Sequence, residues 1–120
     1  CCSAAIATIK YMLENDVPGQ CKEKGEYLKA ELEKLWKKYP TVINEVRGLG
    51  LMLAVEFCES DIGYSVAKGM FKRGVMTAGT LVNAKCVRFE PAAVISKEDM
   101  DNVIERMDAA LEDTKKEFSL

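Results

Sequence analysis

The spacing of apolar residues changes period along this chain, and that change constrains the fold more than any single motif does. Residues 20–38 carry apolar side chains at helical spacing, with lysines and glutamates between them, which predicts an amphipathic helix. From Leu49 to Phe57 every second residue is strongly apolar instead, which predicts a strand with one buried face. A chain with both periods is expected to pack helices against a sheet.

The same reasoning over the whole chain predicts the order α-α-β-α-β-β-α. The predicted helices cover residues 2–15, 20–38, 61–73 and a segment capped by Ser96, and the predicted strands cover 49–57, 75–77 and 86–90. Gly74 is placed to end the third helix in a left-handed conformation. The fold class is therefore α/β of the α+β type, with a small three-stranded sheet covered by about four helices in one domain, residues 1–120.

Composition excludes several classes of partner. Apolar residues make up 48% of the chain, charged residues 30%, and the net charge is −2, which is ordinary for a soluble domain. No basic excess points to nucleic acid, and no polybasic cluster points to a membrane surface. The longest apolar run, residues 49–55, is far shorter than the roughly 20 residues of a spanning helix. We therefore predict no nucleic-acid and no membrane partner.

The cysteines predict neither a metal centre nor a disulfide framework. There are five, Cys1, Cys2, Cys21, Cys58 and Cys86, with no CxxC pair, and the chain has no histidine. We interpret them as reduced thiols that act as small apolar residues in a cytoplasmic protein. The absence of histidine also excludes a Ser/His or Cys/His nucleophile pair within the chain.

The chain does not begin with Met, and its first residues, Cys1–Ala5, have the composition of a helix interior. We therefore expect it to be a fragment of a longer protein.

Arg88 is the residue with the clearest chemical potential. It lies in the third predicted strand between Val87 and Phe89, and alternation places it on the opposite face from them. Its guanidinium could hold a substrate carboxylate bidentately. It could instead pair with Glu56 or Glu90, and spacing alone favours this second interpretation.

A second arginine, Arg47, precedes the glycines at 48 and 50. Two glycines allow close backbone approach to a ligand phosphate. A helix N-terminus does not follow them, however, so a turn or bulge between strands is favoured over a phosphate site.

Four motifs in order resemble the C-terminal small domain of the class III, pyridoxal-phosphate-dependent aminotransferases. They are Val46–Met52, Met70–Val75, Val87–Pro91 and Ser96–Asp99. The opening, residues 1–15, resembles the helix that leads out of the large domain of this family. Among the subfamilies, residues 78–85 most resemble putrescine aminotransferase, with the ornithine, acetylornithine and 4-aminobutyrate aminotransferases as near neighbours.

The resemblance implies a dimeric or larger enzyme that moves an amino group from a diamine or ω-amino acid, putrescine first, to 2-oxoglutarate. Arg88 falls on the arginine of the family's R-x-x-P motif and would bind a carboxylate of 2-oxoglutarate or glutamate. The family usually continues Pro-Pro-Leu, whereas here Pro91 is followed by Ala92 and Ala93. One proline fewer implies a less rigid exit from the strand.

The resemblance also implies that the cofactor lysine, the phosphate-binding loop and the aspartate that pairs with the pyridine nitrogen belong to a large domain. Lys85 and Lys97 stand in the wrong contexts to replace that lysine. We therefore expect no catalytic, cofactor-binding or metal-binding residue within these 120 residues, and no activity from them alone. The alternative is a free-standing α/β module that binds a small ligand or a partner without catalysis.

Overall fold

The computed structural model describes residues 1–80 and 82–120. Its helices are α1 (Cys2–Glu14), α2 (Val17–Lys38), α3 (Ser60–Lys72) and α4 (Lys97–Phe118), and its strands are β1 (Ile43–Leu49), β2 (Met52–Phe57), β3 (Ala78–Gly79) and β4 (Cys86–Phe89). The described part of the chain thus has the α+β fold that was predicted, with four helices and a sheet of four strands instead of three. The predicted turn at 79–85 includes Leu81, which lies outside the described residues.

The strands form one antiparallel sheet in the order β1-β2-β4-β3. Helix α2 packs on β1 and β2, while α3 packs on β2, β4 and α4. The core lies between this helical layer and one face of the sheet. Its largest fully buried apolar side chains are Phe57, Leu32, Ile43, Leu53, Met70, Met107, Leu111, Val42, Val55 and Val66.

The single strand predicted over 49–57 is wrong, because the chain reverses within it. β1 and β2 form a hairpin in which Leu49 pairs with Met52. Gly48 and Gly50 have φ angles of 133° and 55°, which side-chain-bearing residues rarely adopt, so these glycines permit the reversal. Of the two interpretations of this segment, the turn between strands is the one observed.

The strand predicted over 75–77 is also wrong, and β3 begins at Ala78 instead. Val75 N–H donates to Met70 O at 3.0 Å, and Gly74 N–H donates to Phe71 O at 3.0 Å. This pair of bonds is the Schellman arrangement that ends a helix, with Gly74 at φ 78°. Val75 is therefore part of the capping motif that follows α3, and it lies outside the sheet.

The helix ends agree with the sequence chemistry. Ser96 caps α4, since its Oγ accepts from Asp99 N–H at 3.0 Å. α2 begins at Val17, three residues before the predicted start, because Asp16 caps it by accepting from Gly19 N–H at 3.3 Å. No helix in the described residues is long and apolar enough to cross a membrane.

Candidate functional site

Arg88 lies on the open face of the sheet, opposite the core. In the strand register it stands between Ala54 of β2 and Ala78 of β3. Its neighbours Val87 and Phe89 are buried, as alternation predicted. Both cross-strand neighbours are alanines, whose side chains are too short to cover the guanidinium of Arg88.

A cleft of about 390 Å³ opens beside Arg88 at the end of β4. It is bounded by α2, α4, the segment before β3, and the residues that follow β4. Most of its wall is apolar, contributed by Leu28, Val75, Met76, Ala78, Phe89, Pro91, Ile95, Met100 and Val103. Arg88 and Glu90 are the charged residues among the described residues that line it. An apolar cleft with a few charged groups at one side is the usual form of a small-molecule site.

The guanidinium of Arg88 is only loosely held. Its Nη1 lies 3.3 Å from Glu90 Oε1, and its Nε donates to Gly79 O at 3.3 Å. Both distances are at or beyond the long end of the hydrogen-bond range. The side chains of Arg88 and Glu90 are 44% and 36% exposed, so water competes for both. The structure therefore contains the ion pair between Arg88 and Glu90 that spacing suggested. The pair is weak enough for another carboxylate to take the place of Glu90.

Arg47, by contrast, is held closely by two carboxylates. Its Nη1 lies 2.6 Å from Glu45 Oε2 and 2.8 Å from Glu56 Oε2. The hydrogen bond that Arg47 donates to Glu56 raises the pKa of Arg47 above its ordinary value. Two carboxylates around one guanidinium leave a net negative charge, which repels a further anion. Arg47 and the adjacent glycine turn therefore do not form a phosphate site.

Glu56 links Arg47 to the segment that leads into β4. Its carboxylate also lies 3.3 Å from Asn44 Nδ2 and 3.5 Å from Asn83 Nδ2. Arg47 Nη2 in turn reaches Cys86 Sγ at 3.8 Å. Cys86 is buried although it is on the open face, and Arg47 contacts it there.

Sequence reasoning missed the cleft itself. It named Glu90 only as one possible partner of Arg88, and it did not connect Arg88 with the apolar residues of α2 and α4. The walls come from segments far apart in the chain, so periodicity within any one segment could not reveal them. The sequence contains one weak indication of the cleft: Met76 and Ile95 are single apolar residues, each in a segment without helix or strand periodicity.

The described residues of this cleft do not fit pyridoxal phosphate. No lysine is among those that line it. Lys85 Nζ instead donates to Cys58 O at 2.8 Å, and Lys97 Nζ lies 4.9 Å from the ring centroid of Tyr27. Within the same residues, no group of three or more acidic or cysteine side chains is placed to hold a metal ion.

Comparison with known families gives a match over almost the whole chain. The family described as "Aminotransferase class-III" matches residues 1–111. This chain belongs to the class-III aminotransferase family.

Solved structures support the fold of this class-III aminotransferase domain. The lysine aminotransferase from M. tuberculosis in the internal aldimine form superposes with a TM-score of 0.84 at 24% identity, over 89% of this chain and 24% of that one. Acetylornithine aminotransferase from Elizabethkingia anophelis gives a TM-score of 0.84 at 21% identity, over 93% of this chain and 29% of that one. A phospholyase from Arthrobacter in complex with phosphoethanolamine superposes with a TM-score of 0.81 at 22% identity, over 91% of this chain and 28% of that one. The chain thus spans about a quarter of the length of these structures.

Proposed function

We propose that this chain is the substrate-side, C-terminal small domain of an aminotransferase that uses pyridoxal 5'-phosphate. The complete enzyme transfers an amino group from a diamine or ω-amino acid, with putrescine as the foremost donor, to 2-oxoglutarate. Membership of the class-III family supports the reaction class. The choice of putrescine rests on the sequence of residues 78–85, and the choice of acceptor rests on Arg88.

Arg88 binds a carboxylate of the acceptor in this proposal. The observation that carries it is the contrast between two arginines on one sheet face. Arg47 is held by two carboxylates at 2.6 and 2.8 Å, whereas Arg88 has one at 3.3 Å and borders an apolar cleft. A guanidinium that is weakly paired can accept a bidentate carboxylate without first losing a strong partner.

The remaining parts of the enzyme lie outside these residues in this proposal. A large domain of the same protein supplies the cofactor lysine and the phosphate cradle, because the described cleft has neither. The enzyme works in the cytoplasm as a homodimer or a larger assembly.

Replacement of Arg88 by Ala in the complete enzyme tests the proposal. Loss of a charge-assisted bidentate contact in a partly desolvated site costs about 2–4 kcal/mol of transition-state binding. We expect a raised KM for 2-oxoglutarate and a lower kcat/KM for it. Because putrescine has no carboxylate, the half-reaction of enzyme with putrescine alone should change much less.

Arg106→Ala is the matched control, because Arg106 is an exposed arginine on α4 whose Nη1 donates to Arg73 O, away from the cleft. It should leave both half-reactions as in the wild type. Unchanged 2-oxoglutarate kinetics in Arg88→Ala would contradict the carboxylate-binding role and favour a purely structural arginine.

A further inference from the structure

Lys24 of α2 makes a long-range contact that the proposed function does not use. Its Nζ donates to Ala93 O at 2.8 Å, although 69 residues separate the two along the chain. Lys24 is half-buried. In the part of the chain that the structure describes, the lysines with a carboxylate partner are Lys34, Lys38, Lys85 and Lys116. A bond from an ammonium group to a carbonyl is charge-assisted and stronger than a neutral one, so the charge of Lys24 serves to hold backbone.

The segment that Lys24 holds, residues 91–95, lies between β4 and α4 and contains no helix or strand. The bond from Ile95 N–H to Ala92 O at 2.9 Å shapes its turn but ties it to no other element. Ile95 packs against the core, whereas Val94 is 75% exposed and the alanines bury little area. Among the described residues, the bond from Lys24 is therefore the one hydrogen bond that joins this segment to another helix or strand.

The same segment forms one wall of the cleft, since Pro91 and Ile95 both line it. Leu28 lines the cleft from α2, and Lys24 lies one turn before Leu28 on the same face of that helix. Helix α2 therefore supplies one wall directly and holds a second wall through Lys24. The bond to Ala93 O fixes the separation of these two walls, which is the width of the cleft.

We propose that Lys24 is a positioning residue that sets the width of the cleft, and thereby the length of the amino donor that the enzyme prefers. This inference rests on the proposed function. The methylene chain of the donor lies against apolar walls such as Pro91 and Ile95. A fixed apolar wall distinguishes donors that differ by one methylene, by about 10–200-fold. A wall that moves adapts to both donors and distinguishes them less. Lys24 acts through residues 91–95 and not by contact with the substrate.

Amide hydrogen exchange in the complete enzyme tests the bond itself. Lys24→Met keeps an unbranched side chain and removes the ammonium group. The amides of residues 92–95 should then exchange about threefold faster or more, because the segment opens more often once this hydrogen bond is lost. Lys22→Met is the matched control, since Lys22 is an exposed lysine of the same helix that does not line the cleft. It should leave the exchange of these amides at the wild-type rate.

Donor selectivity tests the consequence for the reaction. The kcat/KM is measured for 1,3-diaminopropane, putrescine and cadaverine, and for ω-amino acids of the same chain lengths. The wild type and Lys22→Met should both prefer one length. In Lys24→Met, the ratio of kcat/KM between that donor and the donor one methylene longer should fall about threefold or more. A ratio within one preparation is independent of the amount of active enzyme, so a general loss of structure would leave it unchanged.

The outcomes that contradict the inference differ from one another. Unchanged exchange of residues 92–95 in Lys24→Met would show that the bond does not restrain the segment. Faster exchange with an unchanged selectivity ratio would show that the bond holds the segment without setting donor length. A wild type with no length preference would also overturn the role of Lys24 in selectivity. A wild type that accepts neither series would refute the proposed donor class and this role with it, and the exchange result would still decide whether the bond restrains the segment.

Discussion

Arg47 and Arg88 stand in one row across the sheet with Ala54 between them, and their carboxylate neighbours give them different roles. Glu45 and Glu56 are direct cross-strand partners, so without a cation between them two like charges would face each other. Arg47 bridges both and removes that repulsion. Arg88 has no such task, which leaves its charge available to a ligand.

Arg47→Gln is therefore expected to affect stability and not acceptor binding. It exposes the repulsion between Glu45 and Glu56, which we estimate at about 1 kcal/mol for a partly exposed cross-strand set. The free energy of unfolding, measured with urea at low salt, should fall by that amount. The loss should shrink in high salt, because screening weakens exposed charge repulsion.

The double variant Arg47→Gln/Glu45→Gln should recover part of the lost stability, because Glu56 then no longer faces a second negative charge. The KM for 2-oxoglutarate should not change in either variant. A large rise in that KM would assign acceptor binding to Arg47 and would refute the division of roles between the two arginines.

Among the elements, those with a continuous pattern could be predicted from sequence. The four helices each show an uninterrupted helical apolar stripe or a recognisable cap, and all four are present. The β1–β2 hairpin was missed because Leu49, Leu51 and Leu53 continue the alternation straight through the turn. Only the φ angles at Gly48 and Gly50 reverse the chain, and alternation carries no information about them. The two-residue β3 is too short to show any period.

The position of Arg88 on the open face could be predicted, because alternation within β4 is enough to place it. The cleft could not, since it depends on where α2 and α4 meet the end of the sheet. The ion pairs of the open face depend likewise on the hairpin register, which was itself unknown before the turn was located.

A contact between elements fixes the hairpin against α2. A Cβ atom on Gly25 of α2 would lie 2.1 Å from Gly50 O, a backbone atom of the hairpin turn. Gly25→Ala should therefore destabilise the fold by about 1–3 kcal/mol through overpacking, although alanine is the better helix former. Thermal unfolding followed by circular dichroism measures this loss.

Gly79→Ala is the control for that substitution, because a Cβ atom there meets no atom of the described residues within 4 Å and the φ angle is not positive. It should unfold at the wild-type temperature. An equally stable Gly25→Ala would show that the hairpin can move away from α2 at little cost.

At the scale of the whole molecule, the described residues expose one apolar surface, on α1, and one charged surface, on the open face of the sheet. The helices that pack on the sheet lie on its core face, while α1 contacts α2 and has no buried residue. Ile6, Ile9 and Leu13 of α1 are 55%, 56% and 74% exposed. On the other side, the open sheet face exposes Arg88 and Glu90 beside the cleft. The proposed large domain would bring the cofactor to this second surface.

The 120-residue chain alone is therefore expected neither to bind pyridoxal phosphate at a defined site nor to transaminate. The cleft has no lysine among its described lining, and exposed lysines elsewhere react with an aldehyde weakly and without selection. Titration of the isolated chain with the cofactor should give no saturable visible absorbance at one equivalent. Borohydride reduction followed by peptide mapping should spread the label over several lysines. A single lysine labelled stoichiometrically would refute this prediction and would place the cofactor site within these residues, whereas the complete protein should show that behaviour at a lysine outside them.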